Sequence, residues 1–437
     1  VDVQTVTDDS STPAAGATSA GRYALPLVLI VSLFFLWGTA NNLNDVLIAQ
    51  FKKAFVLSDF GAGLVQSAFY LGYFLIAMPA GIYMRRFGYK SAVIFGLVLY
   101  GIGALLFWPA AQNATYGMFL FALFVIASGL AFLETSANPF VTLLGPPETA
   151  TRRLNLAQAF NPLGSLAGIQ IGQHFILSSI DRTPDQLAAM TASARTAYLL
   201  GETRAVQWPY LFIGLAVLGW AVLILMTSFP KIAVPTEAPS KASEGGALRH
   251  LLGDKSFVGA LFAQFFYVGA QVGVWSYTIR YVQANMHGTS ARDAANFLTA
   301  ELVCFMVGRF AGAGLMKYIA PVRLLALFAV INVGLTLYAV LLPGLSGAYA
   351  LAACSFFMSV MYPTIFALGV QGRSDDQRKL GSALLVMTII GGAVLTALMG
   401  AVSDHSTMAT AMLVPMGCFA VIACFAWQQR RLKGSAA

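Results

Sequence analysis

Two acidic residues stand inside otherwise apolar runs. Asp45 closes Phe34-Phe-Leu-Trp-Gly-Thr-Ala-Asn-Asn-Leu-Asn-Asp45, and Glu134 sits in Gly129-Leu-Ala-Phe-Leu-Glu-Thr-Ser-Ala-Asn-Pro139. Each run is long enough to cross a bilayer, where a central charge costs roughly 2.5–3.5 kcal/mol on insertion scales. A carboxyl kept at that cost suits proton carriage: burial favours its neutral form, so it can take a proton on one side and give it up on the other. Amides accompany the acids: Asn42 and Asn44 near Asp45, Asn138 near Glu134, and Gln158 and Asn161 further on. An amide both donates and accepts hydrogen bonds, which suits a neutral ligand with several hydroxyls. Gln271 and Trp275 lie one helical turn apart and share a face, and with Tyr362 they add aromatic rings to the amides. Two plainer readings stay open. The acids could be paired with Arg280 or Arg309, and the amides could merely tie neighbouring helices.

The elements that must position these groups follow from composition. Of 437 residues, 58% are hydrophobic and only 10% charged, against about 25% charged in soluble domains. The 41 glycines fit helices that approach closely in lipid. The chain therefore reads as an all-α polytopic membrane protein. Its net charge of +8 reads as topogenic and implies no nucleic-acid partner. Cys304, Cys354, Cys418 and Cys424 lack metal-ligand spacing and read as small hydrophobes. No nucleotide-binding loop or metal cluster suggests an enzyme, so no metal and no cofactor is expected beyond the proton as coupling ion.

A bilayer core needs roughly 20 apolar helical residues. Twelve stretches qualify, near 24–50, 61–84, 91–110, 115–144, 153–180, 208–229, 256–284, 293–316, 322–342, 346–370, 379–402 and 407–428. Pro139, Pro162 and Pro363 predict kinks. With the N-terminus inside, 18 Lys and Arg fall on the inner side and 6 on the outer, which places both termini in the cytoplasm. The expected organisation is a cytoplasmic tail over 1–22, which lacks the pattern of a cleaved signal, a six-helix half over 23–229, a cytoplasmic linker over 230–255, a second six-helix half over 256–428, and a tail over 429–437. A repeat relates the halves: Pro139-Phe-Val-Thr-Leu-Leu-Gly145 resembles Pro363-Thr-Ile-Phe-Ala-Leu-Gly369, and Phe34-Phe-Leu-Trp-Gly38 can be laid over Phe265-Phe-Tyr-Val-Gly269. In that register Glu134 corresponds to Met358 and Asp45 to Ser276, so both acids belong to the N-terminal half alone.

Twelve helices in two pseudo-symmetric halves, with a connection reading Gly81-Ile-Tyr-Met-Arg-Arg86-Phe-Gly88-Tyr-Lys90, resemble the major facilitator superfamily. The connection departs from the superfamily pattern, because Arg85 stands where an acid is usual. Within the superfamily the chain resembles bacterial L-fucose:proton symporters. The matching blocks include Ala40-Asn-Asn-Leu-Asn-Asp45, Leu133-Glu-Thr, Leu154-Asn-Leu-Ala-Gln158, Tyr267-Val-Gly-Ala-Gln271, Trp275-Ser-Tyr and Tyr362-Pro-Thr-Ile-Phe366. The resemblance implies proton coupling through Asp45 and Glu134, and sugar contacts at Asn42, Gln158, Asn161, Trp275 and Tyr362. It implies symport of a neutral monosaccharide, L-fucose foremost, across a bacterial inner membrane; relatives carry glucose, galactose or N-acetylhexosamines. A non-transporting sugar receptor and a proton-driven drug exporter are the competing readings. The first would need a folded signalling domain and the second fewer amides. Partners are then the sugar, the proton and the lipid bilayer, with the chain a monomer. Arg280 either snorkels outward or caps a cavity, Arg309 reads as a gating or tethering charge, and His174 reads as structural. Glu301 has no assigned role and is not expected to be a coupling acid. The 181–207 loop is likewise unassigned.

Overall fold

Inside a bilayer no water can satisfy backbone N–H and C=O groups, so the chain must satisfy them within helices. The computed structural model describes residues 17–57, 59–176, 184–229, 244–286, 288–289 and 291–434, and among them the regular structure is entirely helical. The first span is α1 (Ala17–Ala54). The second and third form α2 (Asp59–Leu105), bent where Gly88 takes a positive φ of 82°, a conformation open to glycine because it lacks a Cβ. Short α3 (Phe107–Gln112) extends the third, and α4 (Tyr116–Leu143) is the fourth. The fifth is broken into α5 (Ala150–Gln158) and α6 (Phe160–Ile171), ending in a π turn over Gly172–Ile176. Then come α7 (Pro184–Ala188), α8 (Ala192–Arg204) and the sixth span, α9 (Gln207–Met226).

The second half opens with α10 (Glu244–Gly253). Its spans are α11 (Lys255–Asn285), α12 (Ala291–Leu315) and α13 (Pro321–Leu341), then a tenth broken into α14 (Leu345–Met358) and α15 (Met361–Val370). The eleventh is broken into α16 (Asp375–Met387) and α17 (Gly391–His405), and α18 (Leu413–Gly434) is the twelfth. Nine helices among the described residues are long and apolar enough to cross a membrane, one of them, Ala68–Gln112, carrying two spans.

The structure refines the expected boundaries. Helix α1 begins at Ala17, inside the segment read as a tail, and α18 runs on to Gly434. Residues 230–243 of the expected linker lie outside the described residues, and its remainder carries α10, packed on α11 and α16. Pro139 produces no break, since α4 runs through it. The fifth and tenth spans do break, just ahead of Pro162 and Pro363. Within the first half, α1 lies directly on α6, and a Cβ on Gly38 or Gly164 would overlap the facing carbonyl of Asn161 or Phe35.

The halves meet chiefly through α16 on α2 and α4, α15 on α5, and α12 on α5. All of these contacts lie toward the end that carries the basic loops. There Arg85 pairs with Asp376 at 3.2 Å, and the Tyr89 hydroxyl donates to Asp375 at 2.9 Å. Arg85, which replaces the superfamily's usual acid, thus finds its acid on the other half. Toward the opposite end α2 and α17 diverge around a cavity of about 530 Å³, lined by Tyr70, Leu71, Phe74, Val272, Ser276 and Thr396 among others.

Candidate functional site

The buried polar groups gather where the broken spans cross. Glu134 is 1% exposed on α4. The Tyr362 hydroxyl, at the start of α15 in the opposite half, donates to its Oε1, while Oε2 has no partner. Among the described residues Glu134 makes no ion pair. The reading in which Arg280 or Arg309 neutralises Glu134 therefore does not describe this structure.

A second chain of contacts runs beside it. Gln158 Nε2 donates to Asn138 Oδ1 at 2.9 Å, and the guanidinium of Arg309 reaches Gln158 Oε1 at 3.2 Å. Arg309 also donates to two backbone carbonyls, Gln158 from Nη1 and Ser359 from Nε, each at 2.8 Å. The physical reason lies in the sequence. Proline has no N–H, so it strips the carbonyl four residues earlier of its helical donor. Pro162 frees Gln158, and Pro363 frees Ser359. One buried arginine answers both orphaned acceptors, one from each half, with its planar fork of donors. Phe305, one turn before Arg309 on α12, places its ring 4.7 Å from the guanidinium.

Other groups find separate places. Trp275 is half-buried on α11; its indole N–H donates to Ser355 at 3.1 Å and its ring meets Phe305 edge-on at 5.0 Å. Asn161 donates to the Phe34 carbonyl at 3.3 Å, spending part of its amide on α1. Gln271 is half-buried one turn before Trp275. Arg280 is exposed, its guanidinium 5.4 Å from the Tyr277 ring. His174 is exposed and meets the Gln170 carbonyl at 3.0 Å. The side chains of Asn42, Asn44 and Asp45 lie outside the described residues, although their backbone is in α1. Among the described residues, none of those expected to bind sugar or proton lines the 530 Å³ cavity. That cavity lies between α2 of the first half and α11 and α17 of the second, whereas the described buried polar groups meet at the Glu134–Tyr362 and Gln158–Arg309 crossings.

The structure adds residues that the sequence reading passed over. Gln264 is fully buried with both amide atoms unpartnered, beside Tyr362. Tyr267, with its hydroxyl also unpartnered, packs edge-on against Tyr362 at 5.9 Å and neighbours Arg309. Gln264, Tyr267, Gln271 and Trp275 fall on one stripe of α11, a spacing of 3, 4 and 4 that was available in the sequence. Asn155 donates to Thr364 at 3.2 Å, a further tie between halves. In the 181–207 loop, Glu202 accepts from Gln50 at 2.9 Å and so fastens α8 to the far end of α1.

A family model described as the Major Facilitator Superfamily matches residues 28–395. This chain belongs to that superfamily. Membership makes it a multi-pass transport protein with the superfamily's twelve-helix, two-half fold. The L-fucose-proton symporter of Escherichia coli strain K12 is 47% identical to it, over 94% of each chain. A glucose/galactose transporter of Brucella abortus is 36% identical, over 93% of this chain and 94% of its own. The crystal structure of a superfamily transporter, FucP, in the outward conformation matches with a TM-score of 0.87 at 47% identity, covering 93% of this chain and 98% of that one.

Proposed function

We propose that this chain is a proton-coupled symporter that imports a neutral monosaccharide, L-fucose first, across the bacterial inner membrane by alternating access. One observation carries the reading: the hydrogen bond of the buried carboxyl Glu134 is made to Tyr362 of the other half. A bond across the seam between two rocking bodies is made in one state and parted in the other. Hydrogen bonds to a carboxylate are about twice as strong as neutral ones. Protonating Glu134 therefore weakens the tie that holds this end shut, and proton uptake is linked to reorientation. With the basic loops cytoplasmic, the closed end is the inner one and the chain faces outward.

The sugar's hydroxyls would be met by Asn42, Asn44, Asn138, Gln158, Asn161 and Gln271, and its C–H surface by Trp275 and Tyr362. Gln158 and Asn138 bond each other here, so they must exchange partners when the sugar arrives. Asp45 acts as the outer acid or relay, the proton is the coupling ion with no other cofactor, and the protein works as a monomer in the bilayer. A proton crossing 100 mV yields about 2.3 kcal/mol and each pH unit adds about 1.4. Together they sustain a sugar gradient of roughly a few hundred-fold at one proton per sugar. The similarity to named L-fucose and glucose/galactose carriers supports this class. The test is uptake into proteoliposomes under a pH gradient with L-fucose, D-galactose, D-glucose, D-arabinose and N-acetylglucosamine. Uphill accumulation of L-fucose above the others is expected, and accumulation of none would overturn the reading.

A further inference from the structure

The C-terminal half holds a buried acid that the transport reading does not use. Glu301 on α12 is fully buried, with Oε2 unpartnered. Its Oε1 lies 2.6 Å from the Thr278 hydroxyl of α11. That same hydroxyl lies 2.9 Å from the Val274 carbonyl, one turn earlier on α11. A threonine hydroxyl has a single proton to donate, and here two oxygens stand within reach of it.

The count of hydrogens decides between the two forms of Glu301. If the acid is ionised, Thr278 must turn to it, the Val274 contact is left without a proton, and a charged oxygen sits buried without a protein partner, which is costly. If the acid carries its own proton, Glu301 donates to Thr278, Thr278 donates to Val274, and each short contact has one hydrogen. The bare Oε2 is then the neutral carbonyl oxygen. Among the described residues no cation pairs with Glu301: on α11 Arg280 is exposed over Tyr277. On α12 Arg309 is engaged two turns away by Gln158 and Ser359. The titratable groups facing Glu301 are the Cys354 thiol of α14 and the Cys304 thiol of its own helix.

We propose that Glu301 is a second proton-binding site, occupied in this conformation, whose proton completes a relay from α12 through Thr278 to the α11 backbone. Release would be simple acid dissociation: the Glu301 O–H bond breaks, the proton passes to water, and Thr278 rotates its own proton from Val274 to the new carboxylate. The relay sits in the turn that carries Trp275, and Phe305, one turn from Glu301, packs on that indole. The proton therefore sets how firmly α12 holds the aromatic face of α11.

The test needs no sugar, so its outcome is separate from that of the transport reading. Infrared spectra of the purified full chain would be recorded in the Glu134→Gln background and in Glu134→Gln/Glu301→Gln. A protonated-carboxyl C=O band at the high-frequency end, matching an unbonded carbonyl oxygen, is expected in the first and lost in the second, and it should bleach reversibly as pH is raised. A spectrum in that region unchanged by Glu301→Gln overturns the proposal. Thr278→Val, which keeps the acid and removes the hydroxyl, serves as a second variant. It should shift the band without abolishing it, and a band unmoved by Thr278→Val overturns the relay.

Discussion

Glu134 and Glu301 are both buried acids with one oxygen bonded to a hydroxyl and the other bare, yet their partners sit in different places. Tyr362 reaches Glu134 from the opposite half, whereas Thr278 reaches Glu301 from the same half. In the proposed cycle, rocking of the halves would part the first bond and leave the second intact. A proton on Glu134 would then be tied to reorientation, and one on Glu301 to the internal rigidity of one half. On that proposal the seam on which a buried acid lies, and not burial alone, makes it a coupling group.

The sharpest way to break the comparison is Glu134→Gln. Sugar-evoked proton uptake and uphill accumulation in proteoliposomes should vanish, while downhill sugar exchange persists; retention of wild-type accumulation would remove Glu134 from the coupling step. Next in size is Arg309→Met, which orphans the Gln158 and Ser359 carbonyls. Each unsatisfied buried acceptor costs about 1–3 kcal/mol, so the thermal midpoint in detergent should fall by several degrees. Thiol labelling of cysteines placed at the closed end should also rise. Arg309→Lys should restore little, since a point-charge ammonium cannot span both acceptors as the fork does. A full rescue by lysine would refute the clamp.

Trp275→Ala sharpens the contrast from the sugar side. Calorimetric affinity for the transported sugar should weaken roughly tenfold, about 1.4 kcal/mol, with folded yield retained; unchanged affinity would show that the indole does not face the sugar. A smaller effect is expected at the closed end. Burial pushes the Asp254 carboxyl up, but Arg373 at 2.6 Å and the backbone N–H groups of Ser256 and Phe257 outweigh that and hold it below the usual carboxylate range. A lowered folded value means that this stabilisation is present at neutral pH and is lost as pH falls through that value. Asp254→Asn should therefore flatten the acid limb of the stability profile, read as thermal midpoint against pH. The smallest change is Arg85→Gln. Its pair with half-exposed Asp376 is worth at most about 1 kcal/mol, and a larger loss would mark that contact as a principal lock.

Much of this was legible in the residues. Apolar run length placed twelve spans, and the blocks around Asp45, Glu134, Gln158, Trp275 and Tyr362 pointed to the family that the comparisons then showed. Proline positions located the breaks in the fifth and tenth spans, but not their use. Pro139 shows why: the same residue type left α4 continuous, because whether a helix yields at proline depends on what its neighbours offer the freed carbonyl.

What the sequence determined by itself is whatever depends on local chemistry and on the solvent: helices because lipid leaves backbone groups no other partner, two halves from the repeat, and the cost of each buried charge. What only the tertiary structure decided is which partner each polar group meets. Glu134 could have met an arginine and met Tyr362. Arg309 could have met an acid and met two proline-freed carbonyls. Glu301 lies 23 residues from Thr278 in the chain, and no periodicity links them. Such pairings are set by how whole helices pack side by side, a long-range choice that no run of neighbouring residues encodes.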